Sequence, residues 1–150
     1  MKKIRITDST VSLCREPLAS PFGFKGAYIT ELWQAQATVR SDNFTFTVPS
    51  TQSVLWSDAN VFARLGAEKG DETMLALTKR ASELICGRTF ETPSEITNSL
   101  VSHLAEYARG LCGFDVKTTF VLNSLVGLDI ALWSVYAAEN GIQSFDGMIP

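Results

Sequence analysis

The stretch "FVLNSLVGLDIALWSVYAAENGI" (Phe120–Ile142) decides between a membrane span and the centre of a globular domain. It is apolar nearly all round, and its pattern predicts a helix from about Thr119 to Asn140 with Gly141 as its stop. Asn123 and Asp129 lie inside it. An Asp near a bilayer centre costs about 3 kcal/mol on insertion scales, so a buried core helix is expected, enclosed by other helices or a sheet. Asp129 is surrounded by Leu125, Val126, Leu132 and Trp133. A carboxylate in such a setting needs a partner, and a structural clamp to a neighbouring backbone group or an Arg is expected.

Upstream, the helical period persists. "TPSE" (Thr92–Glu95) is a capping-box sequence with proline at the first helical position, followed by Ile96, Leu100, Leu104 and Tyr107 until Gly110. Before it, Asp71 is expected to open a helix striped by Met74, Leu77, Ala81, Leu84 and Ile85, with Gly87 as its stop. A shorter helix is capped by Ser57 or Asp58, presents Val61, Phe62 and Leu65, and is expected to stop at Gly70.

The first third of the chain has a period of two instead. Ile4 and Ile6 share one parity and Val11 and Leu13 the other, which places a bulge or bend around Asp8 to Thr10. Ile29, Trp33, Ala35, Ala37 and Val39 form one face of a second strand, with Glu31 the exception. "RSDN" supplies a turn, and Phe44, Phe46 and Val48 form a third run ending at Pro49. The predicted fold is therefore α+β: a three-stranded antiparallel sheet followed by a bundle of about four helices, as one domain over residues 1–150. "EPLASPFGFKGAY" (Glu16–Tyr28), between the first two strands, is read as a long loop, and loops of that length are usually lids or disordered. The tail "IQSFDGMIP" is read as the start of a connection.

Composition excludes several functions. The net charge is −3 with no basic stripe beyond Lys2, Lys3 and Arg5, so nucleic acid is not an expected partner. Cys14, Cys86 and Cys112 are widely spaced and odd in number, which favours reduced thiols and a cytoplasmic setting. No apolar run follows the basic N-terminus, so no secretory signal is expected there. No membrane partner is expected.

The residues carry no complete catalytic set. The single histidine, His103, falls between Leu100 and Leu104 on a helix and reads as a packed or solvated side chain. Asp71 and Glu72 are explained by a helix N-terminus, where the macrodipole favours acids. "GFKG" is too short for a phosphate loop. Neither a catalytic nor a metal-binding residue is assigned within this chain.

The order of elements and the segment Asp129, Ala131, Leu132, Trp133 and Gly141 resemble the N-terminal capping domain of the enolase superfamily, in its mandelate racemase and muconate-lactonizing group. "VLWSDANVF" (Val54–Phe62) is similar to that family's run into its first helix. The chain departs from the family at Ser134, where a second Asp is common, and in "NFTFTVPS", which lacks the usual glycines.

The resemblance implies that a (β/α) barrel, on the same or a companion chain, supplies three carboxylates for Mg²⁺ and a lysine or histidine base. Together these abstract a proton α to a substrate carboxylate. Mg²⁺ is then expected in a full-length enzyme, with no cofactor in this chain, and the domain alone is expected to be inert. The resemblance also implies two substrate-facing loops, about Pro17–Gly26 and Pro49–Trp56. Phe22 and Phe24 would exclude water, Gly23 and Gly26 would act as hinges, Lys25 would approach an anionic carboxylate substrate, and Trp56 would line the second loop. The alternatives are phenylalanines packed on the domain's own sheet, a solvated Lys25, and a Trp56 that staples the first helix. Phe22, Phe24, Val54, Leu55 and Trp56 are expected to form an exposed docking surface, with a homo-oligomer as the expected state. A stand-alone binding or assembly module with the same fold is the second reading.

Overall fold

A computed structural model describes residues 2–148. Ile149 and Pro150, the end of the tail read as a connection, lie outside the described residues. The N-terminal segment is split in two by the parity change between Ile6 and Ser9. Strand β1 (Ile4–Arg5) leaves the main sheet to pair with a short strand β5 (Thr89–Phe90), which the sequence reading did not include. Strand β2 (Asp8–Phe24) joins the three-stranded antiparallel sheet, in the order β2, β3 (Ala27–Arg40), β4 (Thr45–Gln52). On β3 the odd positions Trp33, Ala35, Ala37 and Val39 are buried, as the period-two pattern requires.

Two strand readings are corrected. The segment 16–28 is no open loop: β2 pairs with β3 through Pro17↔Glu31 and resumes at Phe22↔Ile29. Residues 18–21 therefore stand opposite Thr30 alone, in an enlarged bulge that follows Pro17 and ends on Pro21. Prolines lack the N–H that a ladder needs, so the extra residues collect where they stand. The second correction is at Pro49, which does not end its strand. It lies inside β4 opposite Gln36, on the edge of the sheet, where proline is tolerated.

Helix α1 (Val54–Ser57) leads directly into α2 (Ala59–Ile85). Asp58 caps α2, accepting from the N–H groups of Asn60 and Val61 at 3.0 and 3.4 Å. Its second oxygen accepts from the Lys117 N–H at 2.8 Å. The break expected at Gly70 falls instead at Gly66, whose φ of 76° and ψ of 177° are open essentially to glycine alone. Gly70 serves packing: a Cβ there would lie 3.0 Å from Val54 Cγ1. Asp71 is consequently inside α2 and opens no helix.

Helix α3 (Pro93–Cys112) begins where "TPSE" places it, but the box is not reciprocal. The Thr92 hydroxyl donates to Glu95 Oε1 at 3.1 Å, and Glu95 Oε2 accepts from the Glu91 N–H. Helix α4 (Thr118–Asn140) ends at Gly141, which has a φ of 68°. It lies against the sheet so closely that a Cβ on Gly127 would stand 2.7 Å from Ser50 Oγ. Its length and apolarity would allow it to cross a membrane, yet 61% of its most apolar window is buried in the domain, as a core helix requires. Asp129 is clamped, though neither to backbone nor to Arg: its Oδ1 accepts from the Thr97 hydroxyl of α3 at 2.6 Å. One stripe of α4 stays uncovered, with Leu122, Val126 and Ile130 each 39–45% exposed.

Candidate functional site

The hairpin β2–β3 ends in a two-residue turn, Lys25–Gly26, with φ values of 51° and 79°. Positive φ at both positions is the type I′ geometry that matches the twist of paired strands. Glycine takes it freely; for Lys25 it costs about 1–2 kcal/mol. The lysine is held at its far end, where Nζ donates to the Trp56 carbonyl of α1 at 3.0 Å. The turn and α1 thus meet at one end of the molecule.

Phe22 and Phe24 lie two residues apart on the same strand face, with their rings stacked at 6.3 Å and 19°. Lys25 Nζ sits 5.3 Å from the Phe24 ring centroid. Phe22, Tyr28 and Trp56 are 57%, 71% and 58% exposed, whereas Phe24 is half-buried. Phe22, Phe24, Lys25 and Trp56 therefore form one aromatic end. Val54 and Leu55 do not join it. They are buried at 2% and 3%, because α1 turns them into the core and leaves only Trp56 outside. Gly23 is a bare place under the Tyr28 ring, 3.3 Å from where its Cβ would be.

Next to this end opens a cleft of ≈340 Å³ between the inward face of β3, the end of β4 and helix α2. Glu31 occupies that face, the exception in the apolar alternation. Its Oε1 accepts from the Trp33 indole N–H at 3.0 Å and lies 3.6 Å from Arg15 Nη1. The Arg15 guanidinium covers the Trp33 ring at 4.1 Å. Asp71 lines the same cleft, and burial first, then the neighbouring Glu31 charge, push its carboxyl up to about 7 against the opposing pull of Arg15.

Gln52 also lines the cleft. Its Nε2 donates to Thr78 Oγ1 at 2.6 Å, and the Thr78 hydroxyl faces the carbonyls of Met74 and Ser124. Gln52 Oε1 is left buried with no hydrogen-bond partner.

The sequence reading missed this cleft. Glu31 was its one visible signal, as a charge on an inward parity. Asp71 was masked by its helix-cap explanation, and Gln52 follows Phe46, Val48 and Ser50 on the inward parity of β4 without standing out. His103 is exposed on α3 in a shallow groove with Arg80, Glu83, Glu106 and Tyr107, where no nucleophile accompanies it. Among the described residues, no group of three His, Cys, Asp or Glu could hold a metal ion. The donors here do not fit Mg²⁺.

No protein-family model and no curated protein matches the sequence. Solved structures do match. A mandelate racemase/muconate lactonizing enzyme-like protein from Rubrobacter xylanophilus superposes with a TM-score of 0.57 at 13% identity, over 91% of this chain and 31% of that one. The chain has the enolase N-terminal domain-like fold. An L-talarate/galactarate dehydratase from Salmonella typhimurium LT2, liganded with Mg and L-lyxarohydroxamate, gives 0.57 at 20% identity, over 92% of this chain and 32% of that one. A dipeptide epimerase from Enterococcus faecalis V583, complexed with Mg and the dipeptide L-Leu-L-Tyr, gives 0.53 at 12% identity, over 91% and 32%. The chain spans about a third of the length of these enolase-type structures. The three neighbours bear different enzyme names, so the shared domain fixes architecture and leaves chemistry to the site.

Proposed function

We propose that this chain is the substrate-capping and specificity domain of a Mg²⁺-dependent enolase-superfamily enzyme. Such an enzyme abstracts a proton α to a substrate carboxylate, in a reaction of racemase, cycloisomerase or sugar-acid dehydratase type. One observation carries the reading: nearly the whole chain superposes on enzymes of which it makes up only a third. The catalytic base and the metal ligands then belong to a barrel of about 250 residues on the same or a companion chain. The enzyme is cytoplasmic and homo-oligomeric in this reading.

Within it, Phe22, Phe24 and Trp56 exclude water from the barrel mouth, which strengthens the electrostatics around a bound carboxylate. Lys25 spends one of its three N–H donors on the Trp56 carbonyl and keeps two for an anionic substrate group. The hairpin acts by positioning these side chains at its turn, since its strands are paired to Phe24↔Ala27.

The genomic reading frame past codon 150 tests the proposal. A continuation of barrel length with spaced Asp/Glu ligands and a Lys-x-Lys-like base is the expected result. A stop codon conserved across related strains, with no companion barrel gene, would favour the stand-alone binding or assembly module instead.

A further inference from the structure

We propose that the cleft between β3, β4 and α2 contains a pH-operated switch: when Asp71 ionises, the Arg15 guanidinium leaves Glu31 and the Trp33 face and pairs with Asp71. The inference stands on the cleft alone, whether or not a barrel covers the domain. Its acidic and basic side chains come from three elements. Arg15 belongs to β2, Glu31 to β3, and Glu68 and Asp71 to α2. Tyr28 of β3 lies at the same cleft, and β4 and α1 bring only uncharged groups to it.

Arg15 is the member free to move. Its Nη1 lies 3.6 Å from Glu31 Oε1, longer than a charge-assisted hydrogen bond, and the two side chains are 46% and 38% exposed. A pair so open to water holds weakly. The guanidinium's other contact is the Trp33 ring, whose centroid is 4.1 Å away. Glu31 does not depend on Arg15. Its Oε1 also accepts from the Trp33 indole N–H at 3.0 Å, and its exposed carboxylate is open to water.

Asp71 is the contrary case. Among the described residues, no hydrogen bond or ion pair engages its carboxyl. Neutral, it can stand in that setting; ionised, it needs a cation. Arg15 is the cation whose charge reaches it, while burial and then the Glu31 charge keep it protonated up to about pH 7. Two carboxylates thus compete for one guanidinium, and only Glu31 has another donor when it loses. Ionisation of Asp71 therefore draws Arg15 across the cleft and uncovers the Trp33 ring, a side chain otherwise 3% exposed. That wall of the cleft changes from a cationic cap to an open aromatic face.

The test follows the indole N–H groups of Trp33, Trp56 and Trp133 by ¹⁵N NMR, and the Asp71 carboxyl by ¹³C NMR, in the 150-residue chain from about pH 5 to 8. The Trp33 signal is expected to shift with the same midpoint as Asp71. Asp71→Asn should abolish that shift, whereas a contribution from His103 would survive it. Arg15→Gln should also abolish the Trp33 shift while Asp71 still titrates, at a higher pH because the cation favouring its charge is gone. This arm separates movement of the guanidinium from the bare field of the Asp71 charge, which would reach the indole in either protein. The Trp133 signal, from a ring packed on Tyr136, shows that both variants are folded. A Trp33 signal that stays still in the parent, or titrates as far in either variant, overturns the inference.

Discussion

Asp71 and Glu139 are carboxyls displaced in opposite directions, and each makes stability depend on pH with its own sign. Asp71 ionises near 3.8 in an unfolded chain but near 7 in the fold, because burial and then Glu31 disfavour its charge. Between those values the folded state holds a proton that the unfolded state has lost, so stability falls as pH rises from about 4 to 7. Asp71→Asn should therefore gain most over the parent at pH 8 and little at pH 4. Urea denaturation at both pH values checks this, and an equal difference at the two would sink it.

Glu139 is the reverse case. Hydrogen bonds from Lys2 at 2.8 Å, Ser41 at 2.7 Å and Asn43 at 3.1 Å hold its carboxyl down near 2, against an ordinary 4.5. Its contribution is complete above about 4.5 and is lost as pH falls toward 2. Glu139→Gln should lower the melting temperature at pH 6 and make little difference at pH 2.

At the scale of elements, the β2–β3 hairpin reaches the aromatic end while its inward residues stay in the core. Replacing Phe22 and Phe24 together with alanine should cost little stability, since Phe22 is 57% exposed and Phe24 is only half-buried. Phe120→Ala, at a fully buried position on α4, should cost about 3–5 kcal/mol. If the hairpin caps a barrel as proposed, the double variant should lose kcat/KM for the true substrate, because contacts realised at the transition state are removed. Melting and kinetics belong on the same protein. A large fall in Tm with unchanged activity of the folded fraction would make these phenylalanines core residues and remove them from the site.

At the scale of the whole molecule, Leu122, Val126 and Ile130 form an uncovered apolar stripe along α4. Beside it a second hollow is lined by Ile130, Trp133, Phe145 and Met148. The spacing of four keeps the three stripe residues on one side of α4, opposite the sheet. An apolar face of this kind is an interaction surface, and alone in solution its available partner is another copy. The chain should therefore self-associate in sedimentation velocity runs at high concentration. The variant with Leu122, Val126 and Ile130 all changed to Gln should sediment as a monomer with its helix content intact. A parent that is already monomeric counts against the prediction.

The type of most elements could be read along the chain because periodicity is a local property. Alternation along β3 marked its buried face, Gly141 stopped α4, and the change from a period of two to helical spacing located the passage from sheet to bundle. The hairpin was misread because residues 18–21 interrupt alternation and carry proline, so its pairing appears only in register with β3. Gly66 and Gly70 are the same residue to any local rule. Gly66 carries the break, while Gly70 stays helical with Val54 packed where its side chain would be. The cleft lay still further from sequence view. Arg15, Glu31, Gln52 and Asp71 come from three strands and a helix, each with a sufficient local explanation. Only packing between segments far apart in the chain buries the Asp71 carboxyl beside Glu31 and seals the Gln52 amide oxygen away from a donor.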